Sequence, residues 1–151
     1  MGQLKRIFAI ILAAVFLFSG CNSGNRSLGI SEEIITDTEI LKIKLIEATS
    51  EKIALEIKNE SKNEIGYDEF YTIEFEEEGE WHRLEPKKEE TFIEVAYVLE
   101  KENSCTWGDN ISRIYGKLPE GRYRIVKHFS IYEKGGAEAE RITLAQQFII
   151  G

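Results

Sequence analysis

Two-residue alternation is the strongest constraint on what this chain can fold into. In 41–45 (LKIKL), Leu41, Ile43 and Leu45 fall on one side, and Lys42 and Lys44 fall on the other. In 52–58 (KIALEIK), Ile53, Leu55 and Ile57 alternate against Lys52, Glu56 and Lys58. Successive side chains of a strand point to opposite faces, so each segment describes a strand with one face on a core and one in water. A helix, turning about 100° per residue, would scatter the same apolar residues around its circumference.

The spacing predicts further strands at 65–75, 80–84, 91–98, 110–115, 122–131 and 140–150. Residues that favour bends separate them: Thr49-Ser50, the run Asn59 to Asn63, Glu78-Gly79, Leu118-Pro119-Glu120-Gly121 and Lys134-Gly135-Gly136. Pro119 fixes the chain ahead of the bend, and Gly121 is expected to supply a positive φ. Short strands joined by close turns point to an all-β, antiparallel β-sandwich over residues 39–151, the size of one domain. No βαβ spacing, Gly-rich phosphate loop, long amphipathic helix or internal repeat is present.

The first 38 residues are of a different kind. Lys5 and Arg6 precede an unbroken apolar run, Ile7 to Phe18, and small Ser19 and Gly20 come before Cys21. Basic, apolar and small segments in that order are the layout of a secretory signal, here residues 1–20. The run of 12 apolar residues falls short of the roughly 20 that a spanning helix requires. The sequence F-S-G-C resembles the bacterial lipoprotein signal, in which the cysteine thiol is acylated and becomes the first mature residue. Phe18 stands where leucine is common, with Leu17 one place earlier. Cys21 is therefore the expected lipidation site, carrying palmitate-type acyl chains at the extracytoplasmic face of the membrane. Residues 21–38 read as the lipidated cysteine and a flexible tether, rich in Asn, Ser and Gly over 22–30. About 17 tether residues would reach about 55 Å when extended, enough to hold the domain clear of the membrane.

The two cysteines and the charge add to this. Acylation of Cys21 leaves Cys105 without an intramolecular partner, so the domain is expected to fold without a disulfide. Beside Trp107, Cys105 reads as a packed thiol. Removing residues 1–20 takes away Lys5 and Arg6 and leaves 17 basic against 27 acidic side chains, net −10. Nucleic acid is excluded as a partner by that balance, because phosphate binding draws on basic patches.

The segment RIYGKLPEGRYRIVKHFS (113–130), with NESKNEIGYDEFYTIE (59–74), the Trp81 strand and FIEVAYVL (92–99), resembles the small bacterial immunoglobulin-like domain of Gram-positive lipoproteins and surface proteins. Asn59, Trp81, Tyr115, Gly116, Leu118, Gly121, Tyr123 and Arg124 fall at the places that family's pattern occupies. The resemblance covers nearly all of 39–151 and implies an immunoglobulin-like sandwich. In it Tyr123 would hydrogen-bond upstream backbone as a tyrosine corner, and Trp81 would fill the core. A shorter likeness, through Leu118, Gly121, Tyr123 and Trp107, is to the intracellular proteinase-inhibitor domain of bacilli. It offers the alternative of a protease-inhibitor-like domain acting at the cell surface.

Chemistry is poorly represented. His82 and His128 have no spaced partners, so neither a metal site nor a cofactor is expected. Ser104, Ser112 and Ser130 lack a nucleophile-elbow context. Glu76 to Glu78, Glu80, Glu89-Glu90 and Glu100 read as a solvated rim, and Asp109-Asn110 lacks a calcium-loop pattern. The expectation is a non-enzymatic interaction module. The aromatic residues Tyr67, Phe70, Tyr71 and Trp107 are its candidate binding patch, and its partner is a protein or a carbohydrate. Tyr and Trp give contact area at low entropic loss.

Overall fold

The computed structural model describes residues 26–87, 95–133 and 138–151. The signal segment, Cys21, residues 91–94 of the expected 91–98 strand and the loop at 134–136 lie outside the described residues.

The elements run β1 (Ser27–Ile30), β2 (Leu41–Ala48), β3 (Ile53–Asn59), β4 (Glu64–Tyr67), β5 (Thr72–Glu77), β6 (Glu80–Leu84), β7 (Tyr97–Leu99), β8 (Ser104–Asp109), α1 (Ser112–Tyr115), β9 (Gly121–Tyr132) and β10 (Glu138–Ile150). One sheet has the order β1-β6-β5-β9-β4-β7, with β10 on the other side of β9; a three-stranded sheet, β2-β3-β8, faces it. All the described pairings are antiparallel. The expected sandwich is thus the fold.

Its core is made by the alternation read from the sequence. Ile53, Leu55 and Ile57 of β3 meet Tyr123, Ile125, Phe129 and Ile131 of β9, with Ile73 and Phe75 of β5 and Ile142, Leu144 and Phe148 of β10. Fully burying a side chain of this size contributes about 1.5–3 kcal/mol. With Cys105 the one free cysteine among the described residues, this core has no disulfide to support it.

Four expectations about elements are corrected. First, 65–75 is not one strand. Tyr67 pairs with Phe129 and Thr72 with Val126, so the four residues 68–71 lie opposite only two on β9, Lys127 and His128. The excess leaves the ladder as a bulge at 68–71. Second, 110–115 is not a strand. Ile111, Ile114 and Tyr115 are buried at the i, i+3, i+4 spacing of one helical face, and Ser112–Tyr115 form the short α1. The strand of that region is β8, where Cys105 and Trp107 alternate inward against Thr106 and Gly108.

Third, Gly121 is not a positive-φ residue; Gly79 and Gly116 are. Glu78 (φ 53°) and Gly79 (φ 85°) form the β5–β6 hairpin turn in the conformation that matches strand twist. Gly121 serves by size instead, because a Cβ there would lie 3.3 Å from Cε2 of Tyr123. That ring is buried, and its hydroxyl donates to Pro119 O at 2.8 Å, which is the expected tyrosine corner.

Fourth, the tether is structured from Ser27 on. β1 pairs with β6, and the following residues cross the outer face of the larger sheet. Ser31 N donates to Trp81 O, and Ser31 Oγ donates to Glu74. Glu33 pairs with Arg83 at 2.7 Å, and Thr36 N donates to Thr143 O of β10. Asn, Ser and Gly side chains do not prevent pairing where the backbone finds an open edge. Under this strap Glu74 is fully buried and paired with Arg124. The Arg124 guanidinium lies 4.7 Å from the Trp81 ring centroid. Trp81 is therefore half-buried on the outer face and is not part of the core.

Candidate functional site

The bulge at 68–71 is supported from several strands at once. Leaving a ladder strands backbone carbonyls, and buried carbonyls need donors. Lys127 supplies them. It sits on the inward face of β9 with no exposed surface, and its Nζ donates to Asp68 O at 3.0 Å and Phe70 O at 3.1 Å. The ammonium also lies 4.0 Å from the Trp107 ring centroid, a favourable cation–π placement. Burial pushes its pKa down to about 8, against the pull of Asp68, Glu69 and Asp109.

Side chains complete the support. Phe70 N donates to Asp68 Oδ1 at 2.9 Å. Glu69 accepts from Tyr97 Oη at 2.6 Å and from Trp107 Nε1 at 3.1 Å. Tyr71 Oη donates to Asp109 Oδ2 at 2.8 Å, and Arg113 pairs with the other oxygen of Asp109 at 2.7 Å. Burial, then the hydrogen bond to Asp109, raises the Tyr71 pKa far above its ordinary value.

This framework presents one apolar ring. Phe70 is 40% exposed and stacks on His128, centroids 6.3 Å apart and planes 16° from parallel. Phe70 and His128 border a cleft of ≈ 370 Å³ shared with Gly66, Tyr67, Asp68, Tyr132 and Arg141. The Tyr132 ring covers Gly66 so closely that a Cβ there would lie 2.5 Å from its Cε2. On the inner side, Tyr67 stacks on Tyr97 at 5.3 Å, and its hydroxyl is 3.2 Å from Cys105 Sγ. Desolvation, then Cys105, raises the Tyr67 pKa well above its ordinary value.

The four expected aromatics therefore divide. Tyr67 and Phe70 line the cleft. Tyr71 and Trp107 are buried beneath it, ring centroids 5.3 Å apart in an edge-to-face contact, and are corrected from exposed binding residues to supports. His128, Tyr132 and Arg141 were missed. His128 and Tyr132 are the outward positions of β9, and Arg141 lies on β10, so the sequence signal was the polar half of the same alternation. No group of three His, Cys, Asp or Glu side chains able to hold a metal converges among the described residues. His128 Nδ1 is occupied by Thr143 Oγ1 at 2.9 Å, and His82 Nδ1 lies 3.4 Å from Ser27 Oγ. Shape and aromatic contact are what this cleft offers, within the size range of small-ligand sites.

A family model described as a bacterial Ig-like domain matches residues 39–149. The chain belongs to the bacterial Ig-like domain family. Neither the curated proteins nor the solved structures compared with it give a match. Within the Ig-like domain the matching positions behave as fold determinants. Asn59 is fully buried at the end of β3. Its Nδ2 donates to Asn63 O, Leu99 O and Glu100 O, while its Oδ1 accepts from Ser61 N and Oγ. That one amide ties β3 to the end of β7. Tyr115 and Leu118 are buried in the core of the Ig-like domain, and Tyr115 Oη accepts from Ile73 N at 3.3 Å. The cleft residues Phe70, His128 and Tyr132 stand apart from these determinants, on the outer face of the larger sheet.

Proposed function

We propose that the protein is a lipoprotein held by Cys21 at the extracytoplasmic face of the membrane, whose Ig-like domain binds a protein or carbohydrate partner through the Phe70 cleft without chemistry of its own. Membership of an Ig-like family, generally non-enzymatic and typical of surface proteins, supports the setting. The observation that carries the binding role is Phe70 itself: an apolar ring left 40% exposed by a bulge whose backbone, Glu69 and Tyr71 are tied to the interior. A pre-organised aromatic loses little entropy on contact, which is the property of a binding anchor.

Two measurements test the two halves. Mass spectrometry of the membrane fraction should find the chain beginning at an acylated Cys21; an unmodified cysteine or an uncleaved N-terminus refutes the anchor. Capture of surface proteins and glycans from intact cells by wild type and Phe70→Ala should show a ligand lost at least tenfold in the variant. Identical capture by both rules out the cleft.

A further inference from the structure

We propose that the corner formed by β1 and the residues after it, with Leu28 and Ile30 foremost, seats against the surface of the bilayer to which Cys21 is anchored. This rests on the lipid-anchor reading and deepens it. The corner exposes large apolar side chains at the very start of the folded domain: Leu28 is 57%, Ile30 58% and Ile34 85% exposed. Leu28 and Ile30, two residues apart on β1, border the same open cleft of ≈ 510 Å³ with Glu33 and Arg83. Single exposed apolar residues are ordinary, but a cluster marks an interaction surface.

Chain length names the occupant. Because β1 begins at Ser27, only residues 22–26 separate it from Cys21. Five extended residues reach about 17 Å, so an acylated Cys21 keeps this corner at the interface. Contact with lipid is then effectively intramolecular, and a weak surface is enough. The corner is also pre-organised. Ser27 pairs with Leu84 and Ile30 with His82, Glu85 N donates to Arg26 O, and Glu33 is held by Arg83. Arg26 and Arg83 there offset two of the three carboxylates Glu32, Glu33 and Glu85, whereas the chain without residues 1–20 carries a net −10. An anionic headgroup layer therefore repels this corner less than the molecule as a whole.

The test uses full-length chain, purified after expression in bacteria that process it, in vesicles of phosphatidylethanolamine and phosphatidylglycerol with brominated acyl chains. Leu28→Trp should be quenched at least threefold more than Ile149→Trp, a control at a position 73% exposed. Intact mass of the same sample reports acylation. An unmodified Cys21 removes the anchor reading and the inference with it. An acylated chain with equal quenching at both positions overturns the inference and leaves the anchor standing. A detergent-soluble dimer abolished by Leu28→Ser with Ile30→Ser overturns it in favour of a second copy pairing along the free edge of β1.

Discussion

Asn59 and Tyr123 show how much of this fold rests on single polar contacts placed where water is excluded. Asn59→Ala leaves the carbonyls of Asn63, Leu99 and Glu100 without that donor and Ser61 N without its acceptor. Orphaned buried groups cost about 1–3 kcal/mol each before relaxation, so we expect a loss of about 2–4 kcal/mol in urea unfolding, with the m-value unchanged. Tyr123→Phe keeps the ring between Gly121 and Phe148 and removes the bond to Pro119 O; about 1 kcal/mol should be lost. A loss above about 3 kcal/mol would show that the hydroxyl holds more than this one turn. Both residues are recognisable in the sequence through the resemblance and the turn chemistry. The outer-face position of Trp81 is not legible there, because it depends on which face of β6 is covered, and the strap that covers it is distant in sequence.

Two elements depend on partners that local sequence does not reveal: the bulge at 68–71 and the strap at 31–38. Lys127→Met removes both Nζ hydrogen bonds to the bulge while keeping most of the side-chain volume. Amide exchange at 69–72 should accelerate at least tenfold, with the β3 amides unaffected; equal protection would show that the Glu69 and Tyr71 contacts suffice. Glu74→Ala leaves Arg124 facing the covered sheet without its carboxylate and frees Ser31 Oγ. Breaking a buried pair on one side costs about 3–5 kcal/mol, and here the Trp81 ring that still faces the Arg124 guanidinium limits the loss to about 2–3 kcal/mol. Proteolysis within 31–38 should begin under conditions where wild type resists it. The sequence reads as plain strand through the bulge and as plain tether through the strap. A period-two pattern runs through a bulge without interruption, and an Asn/Ser/Gly composition does not reveal an open strand edge elsewhere. α1 and β8 were legible in principle: Ile111, Ile114 and Tyr115 carry helical spacing, and Cys105 and Trp107 carry alternation.

At the scale of the molecule, Lys127 couples stability to pH. The folded-state pKa is lowered to about 8 from 10.5, so between those values the unfolded chain holds the proton that the folded chain gives up. Unfolding then requires proton uptake, and stability rises with pH across that window, while below pH 8 the contribution of Lys127 is flat. The full shift is worth on the order of 3 kcal/mol, of which about half should be visible between pH 8 and 9.5. Tyr67 and Tyr71, raised above their ordinary 10, oppose this only at higher pH. Denaturant titrations of wild type and Lys127→Met should diverge in that range, the variant staying level; parallel curves would show that another group carries the effect.

By itself the sequence determined the fold class and most of the core. A period of two is set by the geometry of a strand and needs no partner to be read. It also supplied the signal pattern, the lipidation expectation at Cys21 and the family resemblance. Tertiary structure decided what the residues between and outside the strands do. It sent Tyr71 and Trp107 inward and left Phe70 in water. It turned Lys127 from a surface-type residue into the support of a bulge, and it converted most of the tether into a strand and a strap. The physical reason is common to all four. Each outcome depends on which backbone groups and faces the rest of the chain leaves unsatisfied, and that is a property of the assembled sandwich and not of any local run of residues.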